Sequence, residues 1–215
     1  MKNNKSEKDN VYIEITITDD CNCNCSYCFE GKHCIKNNNN HIEEQKQLKL
    51  ILDLCKKFDT TKHDWLTLSF WGGEPFLNLD YMCKIIENTY NYSFVRYHCF
   101  SNGTLVNKYK QFLEKPFINE IKNRFHVQLS YDGDPHNEIK RGYTKDKIIQ
   151  TADLLHEVGI YFSFKATLAY DMICKLPEIW KSYEELFYKY PDMNVRYFPT
   201  LDTSVTLPEY FDVWK

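Results

Sequence analysis

Six short segments rich in β-branched and aromatic residues alternate with stretches of helical periodicity along this chain of 215 residues. The first segment places Val11, Ile13, Ile15 and Ile17 at every second position, a pattern typical of a strand. Alternation of strands with helices predicts a parallel sheet, because parallel neighbours need a crossover that a helix commonly provides. The predicted strands are residues 11–18, 65–70, 94–100, 125–130, 161–168 and 194–199.

Amphipathic stretches fill the intervals between these strands. Leu48, Ile51 and Cys55 recur at helical spacing in the first interval, with charged residues between them. Gly159 is a typical residue just beyond a helix C-terminus. The sequence therefore predicts an α/β fold. The predicted helices are residues 43–58, 79–90, 109–113, 144–158 and 177–190, with a further start at 208–215. A polar tail at 1–10 precedes one predicted domain, 11–215, with a flexible Asn-rich loop at about 35–41.

Charge and hydropathy exclude two function classes. The net charge of −3 and the pI near 6.2 give no basic excess, so binding to bulk nucleic acid is not expected. No apolar run approaches the roughly 18 residues that a membrane-spanning helix needs. The polar N-terminus does not resemble a secretory leader, so we expect a cytoplasmic protein with reduced thiols.

Four of the nine cysteines lie in one octapeptide, residues 21–28, directly after the first strand. Such closely spaced thiols in a reducing compartment indicate metal binding rather than disulfides. Cys21, Cys25 and Cys28 have the spacing C-x3-C-x2-C. A [4Fe-4S] cluster normally takes four cysteines, so three would leave one iron open to another ligand. A zinc site is the alternative, because Cys23, His33 and Cys34 add enough ligands to complete a tetrahedral set.

Turn-forming and polar motifs follow the next three strands. They are Gly72-Gly-Glu-Pro75, Ser101-Asn-Gly103 and Ser130-Tyr-Asp132. The carboxyl ends of parallel strands meet at one edge of the sheet, and ligands of such folds bind there. We therefore expect these motifs and the cysteines to face one pocket.

The cysteine loop and the Gly-Gly-Glu-Pro turn together resemble the radical S-adenosylmethionine (radical SAM) superfamily. Its signature is C-x3-C-x-aromatic-C after the first strand, and Tyr27 has the aromatic place. The resemblance runs from about Val11 to Thr200 and implies a partial (β/α)6 TIM-like barrel of the radical SAM type. Because a zinc knuckle predicts no Gly-Gly-Glu-Pro turn after the next strand, the combination favours the iron–sulfur reading.

Further motifs resemble the catalytic domain of radical enzymes that modify peptides and proteins, which include sulfatase-maturating enzymes and other SPASM-type members. The motifs are Ser101-Asn-Gly-Thr-Leu105 and the segment from Ser130 to Gly142. Tyr131, Asp134 and Asn137 depart from the Ser-Leu-Asp-Gly-Pro and His-Asp pattern of those enzymes. Only Cys174 lies beyond residue 100, so we expect no C-terminal domain with auxiliary clusters in this chain.

The resemblance implies roles for individual residues. Cys21, Cys25 and Cys28 would hold a [4Fe-4S] cluster, and S-adenosylmethionine would chelate the fourth iron. Gly73 and Glu74 would hold its amine. The remaining implied roles are adenine contact for Tyr27 and binding of the ribose hydroxyls and methionyl carboxylate by Ser130 and Arg141. The full set of candidate cofactor-binding residues is Tyr27, Gly72, Gly73, Glu74, Pro75, Asn102, Ser130, Asp132, Arg141 and Lys165.

The implied activity is reductive cleavage of S-adenosylmethionine, followed by hydrogen abstraction from a peptide or protein side chain. A nucleotide or other small metabolite is the alternative substrate, and a non-catalytic iron–sulfur or zinc protein is the alternative from another class. An external one-electron donor, such as a flavodoxin or ferredoxin, is the expected partner. Cys23 has no implied role.

Overall fold

The computed structural model describes residues 9–28, 41–168, 172 and 175–199. Its centre is a sheet of six parallel strands, in which every strand pairs with the next one along the chain. This sequential order and direction confirm the predicted α/β, partial barrel architecture. The strands are β1 (Asp9–Thr18), β2 (His63–Gly72), β3 (Val95–Ser101), β4 (Phe125–Ser130), β5 (Tyr161–Leu168) and β6 (Asn194–Pro199).

Helices connect the strands and cover one face of the sheet. Each of the predicted helices between residues 41 and 190 is present, whereas the predicted start at 208–215 lies outside the described residues. The α-helices are α1 (His41–Lys57), α2 (Leu79–Thr89), α3 (Val106–Leu113), α4 (Ile118–Ile121), α5 (His136–Arg141), α6 (Lys145–Val158) and α7 (Leu176–Lys189). Short 3-10 helices cover Pro75–Asn78 and Lys122–Arg124.

Alternate residues of each strand face the helices and form the core. The Tyr97 hydroxyl of β3 lies 2.9 Å from Thr89 Oγ1 of α2, and Phe125 of β4 packs on Phe112 of α3. Tyr183 of α7 contacts Phe164 of β5 in the same way. Burial of these large rings is the main contribution to the stability of such a core.

The opposite face of the sheet, here called the inner face, carries several polar side chains. Its residues on β3 and β4 include His98, Phe100, His126 and Gln128, and register places Ser163 of β5 beside Gln128. The rings of His98 and His126 stack with centroids 4.6 Å apart. Packed barrels normally fill this space with apolar side chains, so a polar inner face indicates a ligand-binding interior.

Several elements depart from the sequence prediction. Helices α4 and α5 were not predicted, because four and six residues give too little periodicity, although Gly142 in the left-handed conformation ends α5 as a C-terminal cap. β2 is longer at both ends than residues 65–70, since its pairing with β1 continues to Thr18 and Gly72.

Among the described residues, no helix is both long and apolar enough to cross a membrane.

Candidate active site

The loops after β1 and β2 are bonded to each other through their backbones. The Gly73 amide donates to the Thr18 carbonyl, and the Glu74 amide donates to the Asp20 carbonyl, each at 2.8 Å. These contacts fix the chain just before Cys21. The Gly-Gly-Glu turn therefore holds the first residues of the cysteine loop.

Both glycines are required by this close approach. A Cβ on Gly72 would lie 2.1 Å from the Thr18 carbonyl oxygen, and one on Gly73 would lie 2.3 Å from that of Asp20. Gly72 also has φ of 124°, which side-chain-bearing residues rarely adopt. Backbone atoms cannot move aside as a flexible side chain could, so any larger residue would separate the two loops.

The cysteine loop lies at the carboxyl edge of the sheet. The thiols of Cys21, Cys23 and Cys25 are half-buried, and that of Cys28 is exposed. Hydrogen bonding from the Cys23 side chain lowers the pKa of the Cys21 thiol to about 6, although burial opposes the shift. Burial raises the pKa of Cys25. One thiol of the predicted set is thus already biased toward the thiolate that binds metal.

The donor chemistry of the cysteine loop fits an iron–sulfur cluster. In a [4Fe-4S] cluster each cysteine thiolate would bind one iron. Cys21, Cys25 and Cys28 lie on one loop, and soft thiolate ligands suit iron–sulfur clusters.

Glu74 is completely buried and connects the β2 and β3 loops. Its carboxylate accepts from Ser101 Oγ at 2.9 Å, from the Asn102 amide at 2.7 Å and from the Phe76 amide at 3.1 Å. Burial raises the pKa of this carboxyl to about 7, although the three hydrogen-bond donors act to lower it. The side chain predicted to hold an amine therefore also fixes the loop after β3. Pro75 begins the 3-10 helix that follows.

Asn102 links the loop after β3 to the cysteine loop. Its side-chain amide donates to Asn22 Oδ1 at 2.8 Å, while its Oδ1 accepts from Thr104 Oγ1 at 2.7 Å. Asn22 in turn donates to Thr104 Oγ1 at 2.8 Å. Neither Asn22 nor Thr104 was singled out from the sequence, although both lie inside motifs that were.

Asp132, after β4, is the acceptor for four groups. Arg141 donates to its two oxygens through Nε and Nη2, at 2.8 and 2.9 Å, and the Thr167 amide donates at 2.8 Å. The Tyr27 hydroxyl also donates to this carboxylate, and the guanidinium carbon of Arg141 lies 5.4 Å from the Tyr27 ring centroid. Asp132 thus connects the cysteine loop to the ends of β4 and β5. A second hydrogen bond, from the Ser26 amide to the Lys140 carbonyl, connects the cysteine loop to α5.

The remaining candidates lie at the ends of β4 and β5. Ser130 is half-buried, and its carbonyl accepts from the Tyr143 hydroxyl at 3.4 Å. Lys165 lies beside Ser130 in the register, with its ammonium 5.5 Å from the Phe100 ring centroid. Thr167, which sequence reasoning missed, contacts both Asp132 and Arg141. No local sequence signal marked it, since the contact depends on the strand pairing.

The predicted site residues thus belong to loops that contact one another at one edge of the sheet. Hydrogen bonds join the cysteine loop to the β2 turn, to Asn102 and to Asp132. Their roles toward a cofactor remain predictions.

Two curated proteins are similar in sequence to most of this chain. An uncharacterized protein of Methanocaldococcus jannaschii is 29% identical over 156 residues, which are 71% of this chain and 49% of that protein. The radical SAM cyclopropyl synthase TigE of Paramaledivibacter caminithermalis is 24% identical over 176 residues, 74% of this chain and 35% of TigE. The chain thus spans half or less of the length of these curated relatives.

A solved structure shows the same fold. Native anSMEcpe with bound AdoMet superposes with a TM-score of 0.68 and 20% identity, covering 90% of this chain and 52% of that one. The structure of the same protein with bound AdoMet and the Kp18Cys peptide superposes with a TM-score of 0.67.

The model of the radical SAM superfamily matches residues 15–186, which include the end of β1, the cysteine loop, the Gly-Gly-Glu turn and the whole of β2 to β5. The chain therefore belongs to the radical SAM superfamily, whose cofactors are a [4Fe-4S] cluster and S-adenosylmethionine.

Proposed function

We propose that this chain is a [4Fe-4S]-dependent radical SAM enzyme that takes a hydrogen atom from a peptide or protein side chain. The supporting observation is the backbone pairing of the cysteine loop with the Gly-Gly-Glu turn at the carboxyl edge of a parallel sheet. When bound, the cluster would supply the one-electron reduction of S-adenosylmethionine that precedes hydrogen abstraction from the substrate.

The residues have distinct tasks in this proposal. The thiolates of Cys21, Cys25 and Cys28 would hold the cluster, and three cysteines would leave one position for S-adenosylmethionine. The carbonyl of Gly73 and the carboxylate of Glu74 accept from the amine. The second lone pair on Glu74 Oε2 is available for this, since that oxygen accepts one hydrogen bond, from Asn102.

Arg141 and Ser130 bind the ribose hydroxyls and the methionyl carboxylate in this proposal. Arg141 points Nε and Nη2 at Asp132, so this carboxylate sets the orientation of the guanidinium before any ligand binds. Asp132 also accepts a hydrogen bond from the Tyr27 hydroxyl. This contact positions the Tyr27 ring, which contacts the adenine in this proposal. Arg141 is 7% exposed and Asp132 is fully buried, so this part of the site excludes water.

The peptide substrate class is supported by two observations. anSMEcpe was crystallised with the Kp18Cys peptide, and the motifs after β3 and β4 resemble those of peptide-modifying enzymes. In this proposal an external one-electron donor, such as a flavodoxin or ferredoxin, reduces the cluster.

The proposal is tested by anaerobic reconstitution with iron and sulfide. We expect about four irons per chain and, with dithionite and S-adenosylmethionine, formation of 5′-deoxyadenosine. Cys25→Ala should lose both, whereas Cys23→Ala, the matched control on the same loop, should retain both. Stoichiometric zinc in place of iron, or intact cluster without 5′-deoxyadenosine, would contradict the proposal.

A further inference from the structure

Two buried polar atoms on the inner face have no hydrogen-bond partner among the residues that the structure describes. They are Gln128 Oε1 on β4 and His98 Nε2 on β3, and no other side chain in these two fully described strands has such an atom. Gln128 is 2% exposed. Buried polar groups are nearly always hydrogen-bonded, because leaving one unpaired costs free energy. Two such atoms on one face therefore indicate a place where a ligand supplies the partners.

The strand register places the two residues close together. His98 pairs with His126, and Phe100, two residues further along β3, pairs with Gln128. His98 and Gln128 are therefore diagonal neighbours on the same face of the sheet. Diagonal neighbours on adjacent strands lie roughly 7–8 Å apart, within reach of long side chains. A small planar group between them would contact both.

The nearest polar neighbour already has a partner. His126 Nε2 lies 2.9 Å from Ser163 Oγ, on the strand beyond Gln128. The His126 ring stacks on His98 with an interplanar angle of 6°, so it offers His98 a ring face rather than a hydrogen-bonding nitrogen. Burial is the main cause that lowers the pKa of His98 to about 4, so near pH 7 its ring is neutral and carries one N–H.

This pair of residues lies next to the candidate active site. Gln128 is two residues before Ser130, the last residue of β4 and a candidate cofactor-binding residue. The rings of His98 and His126 are only half-buried, so the inner face is not sealed here. The side-chain torsions of Gln128 allow Oε1 to turn toward a ligand that enters. A substrate group bound here would lie just below the loops proposed to hold S-adenosylmethionine.

A primary carboxamide has the chemistry that complements these two atoms. It carries an N–H donor and a carbonyl acceptor along one edge, so both can face the sheet at once. In a trans backbone amide the two groups point in opposite directions. A carboxylate has acceptors only and would place one of them against Gln128 Oε1. The arrangement therefore favours Asn and Gln side chains over those of Asp and Glu.

We propose that Gln128 and His98 bind the side-chain carboxamide of an Asn or Gln residue in the peptide substrate. Gln128 Oε1 accepts from the carboxamide N–H, and His98 Nε2 donates to its carbonyl oxygen. This inference rests on the proposed function and adds a substrate preference to it.

The test uses the cluster-reconstituted protein with S-adenosylmethionine and a synthetic pool of random octapeptides, held anaerobically without reductant. Retained peptides are sequenced by mass spectrometry. We expect Asn and Gln to be enriched roughly tenfold over Asp and Glu, a factor of the size that one buried hydrogen-bonding group contributes. Gln128→Leu, which removes the acceptor, should abolish the enrichment. His98→Phe, which keeps a stacked ring but removes its nitrogens, should reduce it.

Gln47→Leu is the matched control. Gln47 lies on α1, where its Oε1 accepts from the Tyr81 hydroxyl at 2.5 Å, and its loss should leave the enrichment unchanged. Thermal unfolding without peptide gives an independent measurement. Gln128→Leu removes an unpaired acceptor, so it should not lower the Tm. A lower Tm would show that Oε1 has a partner within the protein and would overturn the proposal.

Enrichment that persists in Gln128→Leu overturns the proposal, as does its loss in Gln47→Leu or a failure to retain any peptide. Lower total retention in Gln128→Leu, without an Asn or Gln preference in wild type, would assign the contact to a backbone amide and overturn the side-chain preference. Formation of 5′-deoxyadenosine is measured on the same wild-type preparation. Cofactor cleavage without the preference overturns only this inference, whereas absence of cleavage overturns the proposed function.

Discussion

Asp132→Asn is the substitution for which the structure gives the largest stability effect at the site. The change keeps the size of the side chain, so it creates no cavity, but it removes the only charge that neutralises Arg141 through a direct bond among the described residues. Asp132 is fully buried and Arg141 is 7% exposed. Breaking a buried ion pair by removing one partner costs about 3–5 kcal/mol. The amide nitrogen of asparagine would also face a donor, since Tyr27, Thr167 and Arg141 all donate here.

We expect the free energy of unfolding to fall by about 3 kcal/mol, which corresponds to a Tm decrease of roughly 6–12 °C for a chain of this size. Thermal and urea unfolding followed by circular dichroism measure this, at equal cluster loading and without S-adenosylmethionine, because a bound cofactor would shift apparent stability.

Asp153→Asn is the matched control. Asp153 forms an ion pair with Lys189 at 2.6 Å, but both side chains are more than a third exposed. Exposed pairs contribute about 0–1 kcal/mol, so the Tm should barely change. The double variant Asp132→Asn/Arg141→Gln should recover part of the lost stability, because no buried charge is left unpaired. Equal costs for the Asp132 and Asp153 changes, or no recovery in the double variant, would refute the reasoning.

Three further outcomes are expected. Gly73→Ala should prevent cluster assembly, measured as iron per chain, because its Cβ would lie 2.3 Å from the Asp20 carbonyl oxygen; full iron loading would contradict this. Burial lowers the pKa of His98 to about 4 and of His126 to about 3, so the unfolded state binds the extra protons and stability should decrease as pH falls from about 6.5 toward 4. Replacing both histidines by Gln should flatten that slope in urea titrations, and an unchanged slope would exclude them as its source. Arg124→Ala should cost about 1–3 kcal/mol in the same assay, because its guanidinium donates to three backbone carbonyls at the end of α2 and the start of β3; a loss below 0.5 kcal/mol would show that water replaces these bonds.

The strands could be predicted because local patterns determine them. Alternation in residues 11–18 and the glycines and polar turns at strand ends were sufficient to give the number and direction of the strands, whereas their order in a partial barrel was implied by the family resemblance. Helix α5 was missed, since its six residues are stabilised by the hydrogen bond from Asn137 to the Tyr143 carbonyl and by loop packing rather than by an apolar stripe.

The site was predictable only as a set of motifs. Spacing of the cysteines and the Gly-Gly-Glu turn pointed to one pocket, but not to which side chains would meet. The hydrogen bond between Tyr27 and Asp132 joins residues 105 apart in sequence, and that between Asn22 and Thr104 joins residues 82 apart. Such pairings depend on loop conformations that no local propensity encodes. Asp132 was a candidate only because it follows a strand. Its carboxylate nevertheless has more hydrogen-bonding residues around it, three, than the Arg141 guanidinium, which has two.

The backbone pairing between Gly73 and Thr18, and between Glu74 and Asp20, has a consequence for engineering. Because backbone amides and carbonyls hold the two loops together, their relative position depends on the backbone and on the two glycines that allow its close approach. A cysteine loop grafted alone onto another parallel barrel would lose the strand-end turn that sets its starting direction. Transfer of the metal-binding function to a new scaffold therefore requires both segments, with the two glycines kept and the scaffold's first two strands paired in the same register.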